Sequence, residues 1–131
     1  MAKIIHSMIR VRKLEDSIRF YNEALGLQVA ERFDFDSFSL VYLRNEESDM
    51  EIELTHNHSQ QEPYELGNGY GHIAVAVDDL IVTRERLLKS GYQPGEIKRF
   101  NHQDRLLAEF FFCSDPDGYK IEFLKRQGRY K

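Results

Sequence analysis

The sequence lacks the features that disulfide-bonded, membrane-spanning and nucleic-acid-binding proteins need. Cys113 is the only cysteine among 131 residues, so the chain forms no internal disulfide and a reducing cytoplasm is the expected compartment. No apolar run is long enough to cross a membrane, and the N-terminus has no apolar signal-peptide core. A net charge of −4 without a long basic run argues against a general nucleic-acid surface. Composition therefore predicts a globular, soluble protein with neither a nucleic-acid nor a membrane partner.

A histidine and a glutamate occur as a pair in each half of the chain. The first pair is His6 and Glu53 and the second is His72 and Glu122, at offsets of 72 − 6 = 66 and 122 − 53 = 69 residues. One such residue on a strand is usually only a polar surface residue, but four in repeat-related positions predict the ligands of a metal ion. Two carboxylates would neutralise a divalent cation, and imidazole with oxygen ligands suits Ni²⁺, Co²⁺, Zn²⁺ or Mn²⁺.

The segments that follow the two histidines predict the same order of elements, a strand, a helix and further strands. The apolar residues that share one face of the first helix, predicted over 14–25, are Leu14, Ile18, Tyr21 and Leu25. Gly26 suits the left-handed position that ends such a helix. An aspartate at position 78 or 79 would cap a second helix over 80–88, and Gly91 would end it.

Strand alternation predicts that the four candidate ligands face one polar chamber. In each strand the large apolar residues lie mainly opposite the candidate, as expected if helices cover the other face of a curved sheet. Ala74 and Ala76 would leave room in the chamber. The prediction is an α+β protein with a single domain over 1–131, built from module 1 at about 3–60 and module 2 at about 68–126. The other histidines, interpreted as surface or loop residues, are His56, His58 and His102.

Five segments of the chain carry a resemblance to a known family. They are IHSMIRV at 5–11, IELTHN at 52–57, YELG at 64–67, GYGHIA at 69–74 and DPDGYKIE at 115–122. The turn signal DPDG is common by itself. Together with four metal-position residues in order, these segments resemble glyoxalase I, lactoylglutathione lyase, of the vicinal oxygen chelate superfamily, over residues 4–125.

The resemblance implies paired βαβββ modules that form a curved mixed sheet with helices on its outer face. It also implies a metal held by His6, Glu53, His72 and Glu122, with water completing the shell. In this family the site commonly lies between the subunits of a homodimer, each subunit contributing one pair. Short members without a long N-terminal extension resemble the nickel- or cobalt-activated bacterial group, so Ni²⁺ or Co²⁺ is favoured and Zn²⁺ is a further candidate.

The activity that the resemblance implies is an isomerisation of the hemithioacetal of methylglyoxal and glutathione to S-lactoylglutathione. The reaction passes through an enediolate, with Glu122 as the base and Glu53 as its catalytic counterpart. Arg10 and Asn57 would contact the γ-glutamyl end of glutathione, the co-substrate. Strand alternation supports both, because Arg10 shares a face with His6 and Asn57 shares a face with Glu53.

The chain departs from the family pattern where the glycine carboxylate of glutathione would bind. Eukaryotic members have an arginine where this chain has Asn68, so Lys98, Arg99 or Arg105 would have to substitute. The alternatives are therefore an enzyme acting on another thiol adduct or acyl-CoA, of the epimerase type, and a non-catalytic small-molecule-binding protein. A ring-cleaving dioxygenase fits less well, because Glu53 adds a fourth ligand to the three that such an iron site uses.

Overall fold

The strand, helix and three strands that follow the first histidine occur a second time in the chain. A computed structural model describes residues 1–131, which divide into two compact units, Met1–Glu65 and Leu66–Lys131. The elements of the first unit are β1 (His6–Arg10), α1 (Leu14–Leu25), β2 (Gln28–Asp34), β3 (Phe38–Arg44) and β4 (Glu51–Asn57). They form a mixed sheet in the order β1-β4-β3-β2, with β1 parallel to β4 and the other pairs antiparallel.

The second unit has the same topology. Its elements are β5 (Ile73–Val77), α2 (Leu80–Lys89), β6 (Lys98–His102), β7 (Arg105–Ser114) and β8 (Lys120–Lys125). The sheet order is β5-β8-β7-β6, again with one parallel pair, β5 with β8. The α+β class and the paired βαβββ modules are therefore confirmed. No helix in the structure has the length and apolarity needed to cross a membrane.

Helix α1 has the predicted bounds and the predicted end. Gly26 has a φ of 70°, and its N–H donates to the Asn22 carbonyl at 2.9 Å, which closes the last turn. The buried stripe differs from the predicted one, since Ile18 and Leu25 lie half-buried at its margin. The buried residues of the helix are Leu14, Ser17, Phe20, Tyr21 and Ala24. Their spacing of three and four residues fits a helix packed on one side of its sheet.

Helix α2 is capped as predicted but runs one residue past the predicted end. The Asp79 carboxylate accepts a hydrogen bond from the Val82 N–H at 3.0 Å, which satisfies one free donor of the first turn. The helix ends at Lys89, and Gly91 follows with a φ of 89°. Along the chain, β5 precedes α2 and strands β6 to β8 follow it, the same order as in the first unit.

Cys113 is a packed strand residue, as its apolar context predicted. It lies in β7, is 2% exposed and pairs with Ile121 of β8. Burial raises the pKa of its thiol to about 11.

We expect Cys113 to resist alkylation by iodoacetamide in the native protein at pH 8, because the reactive form is the thiolate and this thiol stays protonated. Unfolding in guanidinium should expose the residue and restore the reactivity of an ordinary cysteine. Mass spectrometry of the alkylated protein, with and without denaturant, measures the difference. Native-state modification at the rate of free cysteine would contradict the buried assignment.

Candidate metal centre

The first histidine and glutamate meet across the parallel strands β1 and β4. His6 opens β1 and lies two residues before Met8, the register partner of Glu53. This offset brings the His6 Nε2 to 3.6 Å from the Glu53 Oε2. The Glu53 side chain is only 11% exposed, whereas that of His6 is 35% exposed. The imidazole therefore lies at the open side of a largely covered carboxylate.

His72 and Glu122, the second pair, have the same arrangement of donor atoms. His72 directly precedes β5 and lies two residues before Ala74, the register partner of Glu122 in β8. The His72 Nε2 lies 3.5 Å from the Glu122 Oε1, and the two side chains are 42% and 16% exposed. The same topology and the same two-residue offset thus produce the same pair in each unit.

The donor atoms of each pair suit a divalent metal ion. Histidine nitrogen and carboxylate oxygen ligands lie roughly 2.1 Å from a metal such as Zn²⁺, which puts neighbouring ligand atoms about 3.0–3.4 Å apart. The observed separations of 3.6 and 3.5 Å would have to close only slightly. No group of three or more His, Cys, Asp or Glu side chains has a metal-holding arrangement in the structure, so each unit offers two ligands.

Tyr42 adds a hydrogen bond to the first pair that the sequence analysis missed. It lies in β3 directly opposite Glu53, and its hydroxyl donates to the Glu53 Oε1 at 2.8 Å. Its ring also packs edge-on against His6, with the centroids 5.9 Å apart. The hydrogen bond to Glu53, followed by burial, raises the pKa of the tyrosine hydroxyl. Glu53 therefore has one oxygen on Tyr42 and the other facing His6.

Phe112 occupies the corresponding position in the second unit. It lies in β7 directly opposite Glu122, and its ring packs edge-on against His72 with the centroids 5.3 Å apart. A phenylalanine has no hydroxyl to donate. The offset from Tyr42 is 112 − 42 = 70 residues, close to the 66 and 69 of the ligand pairs, so aligning the two halves could have found both aromatic residues.

A cavity of about 380 Å³ opens beside His72 in the second unit. Tyr70, Gln93, Phe112 and Lys120 contribute to its lining. The Tyr70 hydroxyl donates to the Lys120 carbonyl at 3.0 Å, which ties the loop before His72 to β8. Burial raises the pKa of this tyrosine, so it stays protonated at neutral pH. The cavity has the size and the mixed apolar and polar lining of a small-molecule site.

The predicted contacts for the γ-glutamyl group lie at the ends of the two parallel strands. Arg10 closes β1 and pairs with Thr55, two residues before Asn57, which closes β4. The Asn57 amide donates to the Tyr64 hydroxyl at 3.2 Å. Arg10 is exposed and Asn57 is half-buried. Their role stays a prediction.

The three cationic candidates for the glycine carboxylate lie on strands β6 and β7. Lys98 and Arg99 lie in β6, and Arg105 begins β7 after a tight turn. All three are exposed. No hydrogen bond or ion pair connects them to His72 or Glu122, and their assignment also stays a prediction.

Of the remaining histidines, interpreted as surface or loop residues, His56 is the least exposed. It lies within β4, is half-buried, and its Nδ1 is 3.3 Å from the Val11 carbonyl oxygen. The strand continues as far as Asn57, in keeping with the alternation that places Asn57 on the face of Glu53. His58 follows the strand and is exposed, with its Nε2 2.8 Å from the Ser39 hydroxyl. His102 is exposed at the end of β6.

Two βαβββ units, each with one histidine–glutamate pair, define this chain as a protein of the vicinal oxygen chelate class. Residues 3–123 match the glyoxalase/bleomycin resistance protein/dioxygenase superfamily, and the chain belongs to that family.

Several similar proteins are named lactoylglutathione lyase or glyoxalase I. Lactoylglutathione lyase of Neisseria meningitidis serogroup A is 40% identical, over 95% of this chain and 91% of its own. The trypanothione-dependent glyoxalase I of Leishmania major is 34% identical, covers 95% of this chain and 87% of its own, and superposes with a TM-score of 0.76. A glyoxalase I variant from Zea mays has a TM-score of 0.84 at 27% identity, over 96% of this chain and 45% of its own. The protein is thus an enzyme similar to lactoylglutathione lyase, and the resemblance seen in its motifs is confirmed.

Proposed function

We propose that this protein isomerises the hemithioacetal of methylglyoxal and glutathione to S-lactoylglutathione in the cytoplasm. The observation that carries the proposal is the paired geometry of His6 with Glu53 and His72 with Glu122, at 3.6 and 3.5 Å. The lactoylglutathione lyases at up to 40% identity support the reaction assigned to that geometry. The protein would act as a homodimer, with the first pair of one subunit and the second pair of the other at each site.

The four side chains would together hold one divalent ion, and Ni²⁺ or Co²⁺ is proposed ahead of Zn²⁺. Their mixed nitrogen and oxygen donors suit these ions, and two carboxylates balance the charge. When bound, such an ion stabilises negative charge that develops on the substrate oxygens. Metal removal by a chelator should therefore abolish activity, and adding back the ion should restore it.

Glu122 is proposed to move the proton. It takes the proton from the carbon that bears the thioether and hydroxyl groups, which leaves an enediolate, and a proton is returned to the neighbouring carbon. The thioester forms without net oxidation, because the carbon that bears the sulfur is oxidised to the carboxyl level while the neighbouring ketone carbon is reduced to an alcohol. At 16% exposure the Glu122 side chain is largely covered by the protein. Glu53 is its counterpart from the first unit.

The substrate would extend from the metal toward the ends of β1 and β4. Arg10 is proposed to pair with the carboxylate of the γ-glutamyl group and Asn57 to hydrogen-bond its polar atoms. From His6 to Arg10 the strand advances four residues, about 13 Å, a distance suited to the far end of a tripeptide. At the glycine end of glutathione, where eukaryotic members have an arginine in place of Asn68, the carboxylate would be bound by Lys98, Arg99 or Arg105.

An assay of metal-reconstituted protein with methylglyoxal and several thiols tests the proposal. With Ni²⁺ or Co²⁺ and glutathione, we expect thioester absorbance to rise, and chelator-treated protein should give no rise. Trypanothione is a necessary second thiol, because the Leishmania major relative depends on it. Coenzyme A serves as the third. Turnover with trypanothione or coenzyme A but not glutathione would keep the reaction class and change the substrate, whereas no turnover with any metal would contradict the proposal.

A further inference from the structure

We propose that Tyr42 is a positioning residue that makes the two carboxylates of the metal site unequal. Its hydroxyl holds Glu53 as a fixed ligand, while Glu122, which lacks such a partner, stays able to turn toward the substrate. The inference rests on the proposed function for the role of Glu122, but the part that concerns Glu53 depends only on metal binding. Nothing in the ligand set itself, two histidines and two glutamates, distinguishes the halves.

The two oxygens of Glu53 have separate contacts. Its Oε1 accepts the Tyr42 hydroxyl at 2.8 Å, and its Oε2 lies 3.6 Å from the His6 Nε2. A hydrogen bond to an ionised carboxylate is among the stronger ones in proteins. With Oε1 held by the tyrosine, Oε2 remains for the metal, and rotation of the carboxylate would break the hydrogen bond.

Glu122 lies in the same frame without this restraint. Phe112 has the register position of Tyr42, opposite the glutamate, and its ring packs against His72 as Tyr42 packs against His6. The one difference between the two aromatic side chains is the hydroxyl group. The Glu122 carboxylate therefore has His72 within 3.5 Å but no tyrosine hydroxyl on its second oxygen. A carboxylate with one oxygen unengaged can turn without losing a bond.

Packing alone would not require a tyrosine at position 42. The Tyr42 ring contacts His6 and lies 6.3 Å from the Phe33 ring, and a phenylalanine would fill the same space, as Phe112 does in the second unit. A polar hydroxyl on a half-buried ring is useful only if it finds an acceptor. The acceptor here is a candidate metal ligand, so the hydroxyl acts on the site.

Reciprocal substitutions test the inference with two readouts. In Tyr42→Phe, we expect Co²⁺ affinity, measured by competition with a chromophoric chelator, to fall about 10- to 100-fold, as found when partners of metal ligands are removed. The visible absorption spectrum of the bound Co²⁺ should change as well. In Phe112→Tyr, Co²⁺ affinity should stay equal or rise, while kcat of the fully loaded enzyme falls about 10-fold or more, because the new hydroxyl would restrain Glu122.

The metal titration needs no substrate, so it separates the two proposals. Wild-type affinity and an unchanged spectrum in folded Tyr42→Phe would overturn the inference, whatever the reaction is. Weaker Co²⁺ binding in a protein that does not turn over methylglyoxal would support the positioning of Glu53 and contradict only the proposed function. Wild-type kcat in Phe112→Tyr would overturn the assigned difference between the carboxylates. Circular dichroism of each variant establishes that it is folded. If Tyr42→Phe does not fold, the kcat of Phe112→Tyr still tests the difference between the two carboxylates.

Discussion

Replacing Glu122 with glutamine is expected to lower kcat by about 10²–10⁴-fold, the range that a general base contributes, while metal binding is retained in part. Glutamine has the same shape and keeps one side-chain oxygen within reach of His72, whose Nε2 lies 3.5 Å from the Glu122 Oε1. It has no carboxylate to accept a proton. The effect should therefore appear in kcat rather than in metal content, which plasma emission spectrometry of the purified variant measures.

Glu53→Gln is the matched control, because it changes the repeat-related ligand in the same way. The Tyr42 hydroxyl donates to the Glu53 Oε1, and the amide nitrogen of glutamine cannot accept that bond if it takes this position. We expect this variant to lose metal affinity more than Glu122→Gln does, with kcat per loaded site reduced less. Substantial turnover by Glu122→Gln at full metal loading would contradict the assignment of Glu122 as the base. Equal losses of kcat in both variants would mean that the two carboxylates share the proton transfer.

The sequence predicts most of the fold because the repeat and the helix signals are local. Helix α1 begins and ends where its apolar spacing and Gly26 predict, and Asp79 caps α2 as expected. Side-chain alternation also predicts which residues share a face, since its period of two needs no tertiary information. The faces of His6 and Glu53 follow from that rule, and the structure brings their donor atoms within 3.6 Å.

The register between strands is what the sequence leaves undetermined. In the sequence, Tyr42 is one aromatic residue within the segment that forms β3. Its position opposite Glu53 depends on the length of the connection between β3 and β4, which sets the register of the two strands. The burial of Glu53, 8% exposed as a residue, follows from that pairing and from the cover of neighbouring side chains, so alternation alone does not predict it.

Two inactive variants that each lack one pair are expected to restore activity when their subunits are mixed. The first variant carries His6→Ala and Glu53→Ala, and the second carries His72→Ala and Glu122→Ala. If each site takes one pair from each subunit of a homodimer, a mixed dimer has one site with all four ligands and one with none. Random exchange makes half of the dimers mixed, so about a quarter of the wild-type activity should return.

A site formed by both pairs of one chain predicts the opposite result for the same mixture. Each site would then lack one pair in every dimer, and no combination of subunits could restore four ligands. Each variant mixed only with itself is the control for recovery by the exchange procedure, and sedimentation velocity establishes whether dimers form at all. Each unit by itself offers only two metal ligands, a histidine and a glutamate 3.6 Å apart in the first unit and 3.5 Å apart in the second. Recovery of activity in the mixture therefore tests whether the other two ligands of each site come from the partner subunit. Failure to recover activity in exchanged dimers would exclude the shared site, and a monomeric active enzyme would exclude the homodimer.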